Sequence, residues 1–252
     1  MTKSSGMILD GESRPEGGGA GTAPRKLAMF ATLAGLALSG CVAGPTKQLS
    51  DFKKWEAADN LTAIEGASID ASCAAGGRAS AECAQLAEIQ GRACLNLAKQ
   101  EAAAKAACPP ATDTARRHLQ CAATDFDAAR AGRQFPPDQL DQITEMRARA
   151  LYCYANTLSR ADGLAEAQQA GRELATLSEN PERDQLAAAA ALYEANTNQA
   201  AAAERCSAAR NAVKLAERGL QNSPSSELQQ GLNATRDHAT SVAGSLSNCS
   251  VP

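Results

Sequence analysis

The residues with the most varied chemistry in this chain are its cysteines. A cysteine can close a disulfide, bind a metal as its thiolate or act as a nucleophile. The chain has nine of them: Cys41, Cys73, Cys83, Cys94, Cys108, Cys121, Cys153, Cys206 and Cys249. No two are spaced as Cys-x-x-Cys, a common ligand pair in zinc sites, so the spacing favours disulfides over a metal site.

The residues before Cys41 follow the order of an export signal. Arg25–Lys26 are positively charged, Leu27–Leu38 are apolar, and the small Ser39–Gly40 stand directly before the cysteine. A positive flank, a short apolar segment and small residues at the cleavage position are typical of a secretory signal peptide.

The four residues LSGC that end at Cys41 resemble the lipobox of bacterial lipoproteins. The resemblance implies that the Cys41 thiol carries diacylglycerol, that residues 25–40 are removed as a signal peptide, and that residues 41–50 form a lipidated linker. Residues 1–24 are polar and glycine-rich, which predicts a disordered extension that is removed with the signal. In Gram-negative members an Asp after the cysteine marks inner-membrane retention. Val42 therefore implies an anchor in the outer membrane, with the protein in the periplasm.

Two alternatives to a lipid anchor remain open. Leu27–Gly44 is 18 residues without a charge, close to the roughly 20 apolar residues of a membrane span. Gly35, Ser39 and Gly40 weaken the second half of such a span. An ordinary cleaved signal, without lipid, is the other alternative.

The remaining eight cysteines are an even set, which suits four disulfides in an oxidising compartment. Positions relative to predicted helix breaks favour three pairings: Cys73–Cys83, Cys121–Cys153 and Cys206–Cys249. Cys94 and Cys108 are then left on one predicted helix, about 20 Å apart. They cannot bond at that distance. Either that helix breaks between them or one of the three pairings is wrong.

Composition predicts an all-α fold. Alanine is abundant, Leu, Glu, Gln, Lys and Arg follow it, and all are strong helix formers. Aromatic residues are only 3% of the chain, and no segment alternates as a half-buried strand does. Breakers place helices near 48–73, 80–107, 112–132, 137–158, 164–177, 182–222 (one helix, or two divided at Asn196–Asn198) and 225–247. Short connections predict antiparallel hairpins, forming a short α-solenoid or an irregular bundle over residues 51–252, stapled by disulfides.

The segment Ala150–Pro181 resembles a tetratricopeptide repeat. Ala155 and Ala167 stand where that family places small residues between its two helices, Leu158 takes a large core position, and Pro181 closes the unit. Cys206–Pro224 resembles the second helix of another repeat, through Ala212, Ala216, Gly219 and Pro224. The resemblance implies a solenoid whose concave surface binds a protein segment.

Several functions find no support in the sequence. The only histidines are His118 and His238, and no Ser, Cys or carboxylate lies in a recognisable catalytic motif. We therefore expect no enzyme activity, no cofactor and no metal. His118, three residues before Cys121, is expected to be an exposed helix residue, and Asp125 and Asp127 to be solvated.

Net charge gives a further exclusion. Residues 41–252 hold 21 Lys plus Arg and 25 Asp plus Glu, a net charge of −4. The charges are evenly mixed, so no basic face suits a nucleic acid.

The expected role is a scaffold or adaptor that holds a protein partner of the cell envelope. The combination is similar to the pilotins of secretins and to the repeat-containing factor of outer-membrane protein assembly. The candidate contacts, expected to be exposed, are Arg147, Arg149, Tyr152, Tyr154 and Tyr193; the alternative for the tyrosines is packing in the core or at its rim. Two other roles remain open: a small-ligand or substrate-binding lipoprotein serving a transporter, which needs an apolar pocket between helices, and a purely structural surface lipoprotein.

Overall fold

The computed structural model describes residues 44–74, 80–103, 106–132 and 134–250, and these ranges contain helices and loops without a strand. They hold ten helices: α1 (Pro45–Ala57), α2 (Leu61–Glu65), α3 (Ala71–Ala74), α4 (Ala81–Gln100), α5 (Asp113–Ala131), α6 (Pro137–Thr157), α7 (Leu164–Leu174), α8 (Pro181–Ala195), α9 (Ala202–Gln221) and α10 (Ser226–Ser245). The predicted all-α class is confirmed. Among these helices none has the length and apolar character needed to cross a membrane. The lipobox, the signal segment 25–40 and the extension 1–24 lie outside the described residues.

Helix starts follow local signals in the sequence. The side chains of Ser80, Thr112, Asn180 and Ser225 each accept a hydrogen bond from a backbone N–H in the first turn of α4, α5, α8 and α10. Such a cap satisfies an N–H that has no partner inside the helix. Pro137 opens α6, where its missing N–H costs nothing. The predicted starts near 80, 112, 137 and 225 are confirmed.

The predicted first helix, 48–73, is wrong, because the chain forms α1, α2 and α3 instead. Asp59 takes a positive φ of 52° just after α1, and Asn60 then caps α2. The Gln90 amide on α4 donates to three carbonyls at and just after the end of α2, at 2.7 to 3.2 Å. The Gln90 side chain thus supplies hydrogen bonds to carbonyls that a continuous helix would have satisfied with its own backbone N–H groups. The first helix also begins inside the predicted linker, 41–50, of which residues 45–50 are helical.

The helix α4 ends at Gln100 rather than near 107. Local propensity favours a longer helix, since EAAAK follows at Glu101–Lys105. Glu101 is instead bound to the next helix, because its Oε2 accepts a hydrogen bond from Thr112 Oγ1 at 2.8 Å. The early end of α4 leaves Cys108 in a loop.

Consecutive helices pack against each other from α4 to α10, α10 also packs on α8, and α1 and α2 cover α4. Their short connections make neighbours antiparallel, as predicted. The segment 182–222 is two helices, α8 and α9, which separate at the predicted weak point Asn196–Asn198. The helix α7 ends at Leu174 rather than near 177, where the Thr176 hydroxyl donates to the Glu173 carbonyl at 2.7 Å.

The main core lies between α4, α5 and α6 and depends on close helix approach. Leu119, Phe126 and Ile143 are fully buried in it, and most of its other members are alanines. Gly91 on α4 faces the Phe126 ring, and a Cβ at that glycine would lie 2.9 Å from two ring carbons. The absence of a side chain at Gly91 therefore sets the spacing of α4 and α5.

Four disulfides join neighbouring segments: Cys73–Cys83, Cys94–Cys121, Cys108–Cys153 and Cys206–Cys249, with Cα atoms 5.2 to 6.0 Å apart. The predicted first and last pairings are confirmed. The predicted Cys121–Cys153 pairing is wrong. Because α4 ends early, Cys108 reaches Cys153 on α6, and Cys94 bonds to Cys121 on the adjacent α5.

We predict opposite effects for the same substitution at two glycines. Gly91→Ala lowers the free energy of unfolding by about 1–3 kcal/mol, because the methyl group overpacks the α4–α5 contact. Gly244→Ala, in α10 with open space around it, raises it by about 0.5–1 kcal/mol, because alanine favours helix. Urea unfolding followed by circular dichroism measures both. Equal effects at the two positions would contradict the close approach of α4 and α5.

Candidate functional site

A groove of about 610 Å³ lies between α7, α8 and α9, and we call it the α8 groove. The helix α8 packs against both of the others and contributes Ala187, Ala190 and Ala191 to the lining. Longer side chains line it from α7 and α9, among them Arg172 and Lys214. Because the side chain of alanine is a single methyl group, α8 forms the base of the groove. The longer side chains of α7 and α9 form its two walls.

Two of the three acidic groups that line the α8 groove, Asp184 and Glu179, are neutralised within it, whereas Glu194 accepts a hydrogen bond only from the Gln168 amide, at 3.0 Å. Asp184 is 1% exposed, and its Oδ1 accepts hydrogen bonds from the Arg218 guanidinium, with Nε at 3.0 Å. The same guanidinium binds Glu179 through Nη1 at 2.8 Å. Hydrogen bonding to Asp184 raises the pKa of Arg218 above its ordinary value. The other oxygen of Asp184, Oδ2, is buried without a hydrogen-bond partner.

Two cations of the groove, Arg172 and Lys214, have no carboxylate partner. Arg183 binds Glu145 at 2.9 Å, whereas Arg172 donates only to the amide oxygen of Gln169, at 2.7 Å. Lys214 has no hydrogen-bond or ion-pair partner among the described residues. The two walls therefore present one uncompensated cation each, Arg172 from α7 and Lys214 from α9. These two cations outnumber the one lining carboxylate without a cationic partner, Glu194, so the arrangement favours an anionic group above the alanine base.

A buried charge cluster fixes α7, and hence one wall of the groove. Glu173 is 6% exposed and lies between two cations, Arg130 of α5 at 3.2 Å and Arg147 of α6. Gln169 donates to the same carboxylate at 2.8 Å. Burial lowers the pKa of Arg147. Removal of Glu173 would leave two half-buried cations facing each other, so the cluster specifies how α5, α6 and α7 dock.

The predicted partner contacts do not line the α8 groove. The expectation that they are exposed is wrong for Tyr193, which is 3% exposed and donates its hydroxyl hydrogen to the Ala155 carbonyl at 3.0 Å. It is also wrong for Arg147, which belongs to the Glu173 cluster. Tyr152 and Tyr154 are half-buried, and Arg149 lies at the surface 3.7 Å from Glu145. For the residues of α6 the physical reason is that α5 and α7 both pack on it, which leaves α6 little free surface. Tyr193 lies on α8 and is buried because it packs against Ala155 of α6 and Ala167 of α7.

Ala155 and Ala167, the small residues of the repeat-like segment, form a cluster with Tyr193. Gly163, just before α7, touches the same place, because a Cβ there would collide with the Tyr193 hydroxyl and the Ala155 backbone. Small residues thus let the end of α6 and the start of α7 close over the tyrosine.

The sequence did contain a signal for the groove. Arg210, Lys214 and Arg218 recur every four residues and so share one face of α9. Arg210 and Arg218 have partners in Ser250 and in Asp184 with Glu179. Only the fold shows that Lys214 is left without one.

A second group of polar side chains surrounds the Cys94–Cys121 disulfide. His118 is not the exposed residue that we predicted: its side chain is 13% exposed, Nδ1 contacts Glu65, and Nε2 lies 3.5 Å from Glu101 Oε1. Glu65, the last residue of α2, reaches His118 from across α4, which local periodicity does not show. Asp125 is not fully solvated either. Its Oδ2 lies 3.3 Å from Cys121 Sγ, and burial raises its pKa to about 7.

Comparisons with known proteins show no relative. No protein-family model matches the chain, and neither does a curated protein or a solved structure.

Asp125 predicts a pH dependence of stability. The pKa of about 7 in the folded chain exceeds the ordinary 3.8, so the folded state holds a proton that the unfolded state releases. This favours folding at low pH and is lost as the pH rises from about 4 through about 7. Asp125→Asn should remove that loss and make the variant more stable than the wild type at pH 8 by about 1–3 kcal/mol.

The measurement is urea unfolding at a series of pH values. Asp138→Asn, at an exposed carboxyl, is the control and keeps the wild-type slope. Parallel curves for Asp125→Asn and the wild type would contradict the assignment.

Proposed function

We propose that the chain is a non-catalytic, lipid-anchored scaffold of a bacterial envelope that binds an acidic segment of a protein partner in the α8 groove. The observation that carries the proposal is the groove itself, with its alanine base and the uncompensated Arg172 and Lys214 on opposite walls. Tetratricopeptide-like hairpins are a suitable framework, since stacked helix pairs present such concave surfaces to peptide segments.

Export is supported by the cysteines. All eight from Cys73 to Cys249 are paired in disulfides, and disulfides persist in oxidising compartments such as the periplasm. The lipobox at Cys41 then accounts for the ninth cysteine. Val42 after it favours the outer membrane, which is the location that we propose.

A scaffold is better supported than a small-ligand carrier. Sites for small molecules are mostly apolar, rich in aromatic side chains and about 300–1,000 Å³ in volume. The α8 groove has the volume but is lined by seven charged residues: Arg172, Glu179, Arg183, Asp184, Glu194, Lys214 and Arg218. Two smaller cavities, of about 230 and 170 Å³, fall below that range. Two surface depressions of about 370 and 500 Å³ lie within it, but neither has an aromatic side chain in its lining.

His118 and the cysteines, which could support catalysis, have structural contacts. His118 is held between Glu65 and Glu101, and the eight described cysteines are in disulfides. These contacts favour a binding role over an enzymatic one.

The proposal predicts a charge-dependent contact in the groove. A photo-crosslinker at Asn211, which lines the groove, should capture an envelope protein through an acidic segment, whereas one at the exposed Gln229 on α10 should not. The double substitution Arg172→Glu and Lys214→Glu should lower the yield of that product at least about tenfold, since two charge-assisted hydrogen bonds of about 1.5–3 kcal/mol each are lost.

Lys53→Glu, at an exposed lysine of α1, is the matched control and leaves the yield unchanged. Circular dichroism confirms that the variants remain helical. Equal capture by the charge-reversed protein and the wild type would refute the groove as the contact surface. Capture at both Asn211 and Gln229 would indicate only non-specific proximity.

The anchor is tested separately, by the intact mass of the protein extracted from membranes. We expect residues 41–252 plus a diacylglycerol modification, with eight thiols that appear only after reduction. Cys41→Ser should release the protein from the membrane fraction, because acyl chains supply the anchoring free energy. A mass that retains residues 1–40 would refute lipidation at Cys41 without bearing on the groove.

A further inference from the structure

Three side chains of types that can bind a metal meet at the Cys94–Cys121 disulfide. A carboxylate oxygen of Glu65 and the two sulfurs all lie within 4.8 Å of one another. They come from three helices: Glu65 ends α2, Cys94 is central in α4, and Cys121 lies on α5. Among the described residues, this is the one group of three His, Cys, Asp or Glu side chains whose possible ligand atoms converge in this way.

The carboxylate is held in position by a chain of polar contacts. His118 Nδ1 contacts Glu65 Oε1, and its Nε2 lies 3.5 Å from Glu101 Oε1. The other oxygen of Glu101 accepts a hydrogen bond from Thr112 at 2.8 Å. Metal-binding carboxylates are usually fixed by such partners, which orient them and tune their affinity.

We propose that reduction of the Cys94–Cys121 disulfide creates a zinc site, with the two thiolates and Glu65 as ligands. His118 positions Glu65, and water takes the fourth place. Zn–S bonds of about 2.3 Å and Zn–O bonds of about 2.0–2.2 Å place the ligands of a tetrahedral ion roughly 3.5 Å apart. The three donors are already within 4.8 Å, so only small side-chain movements are needed.

The chemistry has two balanced steps. A dithiol reductant breaks the Cys94–Cys121 S–S bond, gives up two electrons and two protons, and is itself oxidised to a disulfide. The two cysteines become thiols. Zn²⁺ then binds their sulfurs as thiolates, and the two thiol protons pass to solvent.

The site is reachable from solvent on the Cys121 side. Cys94 is fully buried, whereas Cys121 is partly exposed. Cys121 lines a surface depression of about 370 Å³ together with Gln90, Arg117, Gln120, Thr124 and Asp125. A reductant and then a metal ion can therefore approach Cys121 without unfolding of the core. The inference concerns a different place from the α8 groove and does not rest on it.

The test is a cobalt titration of the purified protein before and after reduction with a phosphine, which adds no competing thiols. Co²⁺ bound by two thiolates gives a sulfur-to-cobalt charge-transfer absorption. We expect one equivalent to bind to the reduced wild type, Zn²⁺ to displace it, and the oxidised protein to show no such band.

Three variants locate the site. Cys94→Ser with Cys121→Ser should abolish the band, and Glu65→Gln and His118→Asn should weaken cobalt binding by about 10–100-fold. The matched control, Cys206→Ser with Cys249→Ser, removes the same number of thiols elsewhere and should bind cobalt as the wild type does.

If reduction loosens the fold, circular dichroism still tests the proposal. Zinc must then restore the helical signal in the wild type and in the control, but not in Cys94→Ser with Cys121→Ser. Equal cobalt binding by that variant and the wild type would overturn the proposal. Binding to the oxidised protein, or a reduced chain that zinc does not refold, would overturn it as well.

Discussion

The constraint on which this fold depends is the small size of alanine. Of the fully or nearly fully buried side chains in the described core, a large share are alanines, while Phe52, Phe126, Leu119 and Ile143 are among the few large ones. Each alanine removes little apolar area from water, and the hydrophobic contribution scales with that area. The helices compensate by close approach, as at Gly91 against Phe126, and by disulfides, each of which adds about 2–4 kcal/mol by restricting the unfolded chain.

The same constraint produces the α8 groove. A helix with large apolar residues on that face would fill the space between α7 and α9, whereas the alanines of α8 leave it open. Because the alanine-rich core buries little apolar area, buried charges also contribute more to how the helices dock. Glu173 joins α5, α6 and α7, and Asp184 with Arg218 joins α8 to α9. Such pairs add little net stability, but they penalise any other docking that would leave a charge alone.

Local signals in the sequence were enough for the fold class and for most helix starts, because caps and prolines act within one turn. They failed where a distant residue decided the outcome. The EAAAK segment favours helix, yet Glu101 is bound to Thr112 on α5, and this early end of α4 changes which cysteines meet. Arg147 on α6 lies between α5 and α7, and Tyr193 on α8 donates its hydroxyl hydrogen to the Ala155 carbonyl of α6. Only these contacts between helices show that the two side chains are enclosed. The uncompensated Lys214 could be found only once the partners of Arg210 and Arg218 were known.

The four disulfides are not equivalent, and their surroundings explain why. Cys206–Cys249 joins the segment after α10 to α9 among apolar side chains. These surroundings indicate no role for the bond beyond restraining the chain. Cys94–Cys121 crosses the centre of the α4–α5 pair beside Glu65, His118 and Asp125. Carboxylates and an imidazole near a disulfide gain nothing from its apolar sulfur atoms and lose some hydration. In the reduced form that we propose, two thiolates and the carboxylate of Glu65, which His118 positions, would together bind a cation.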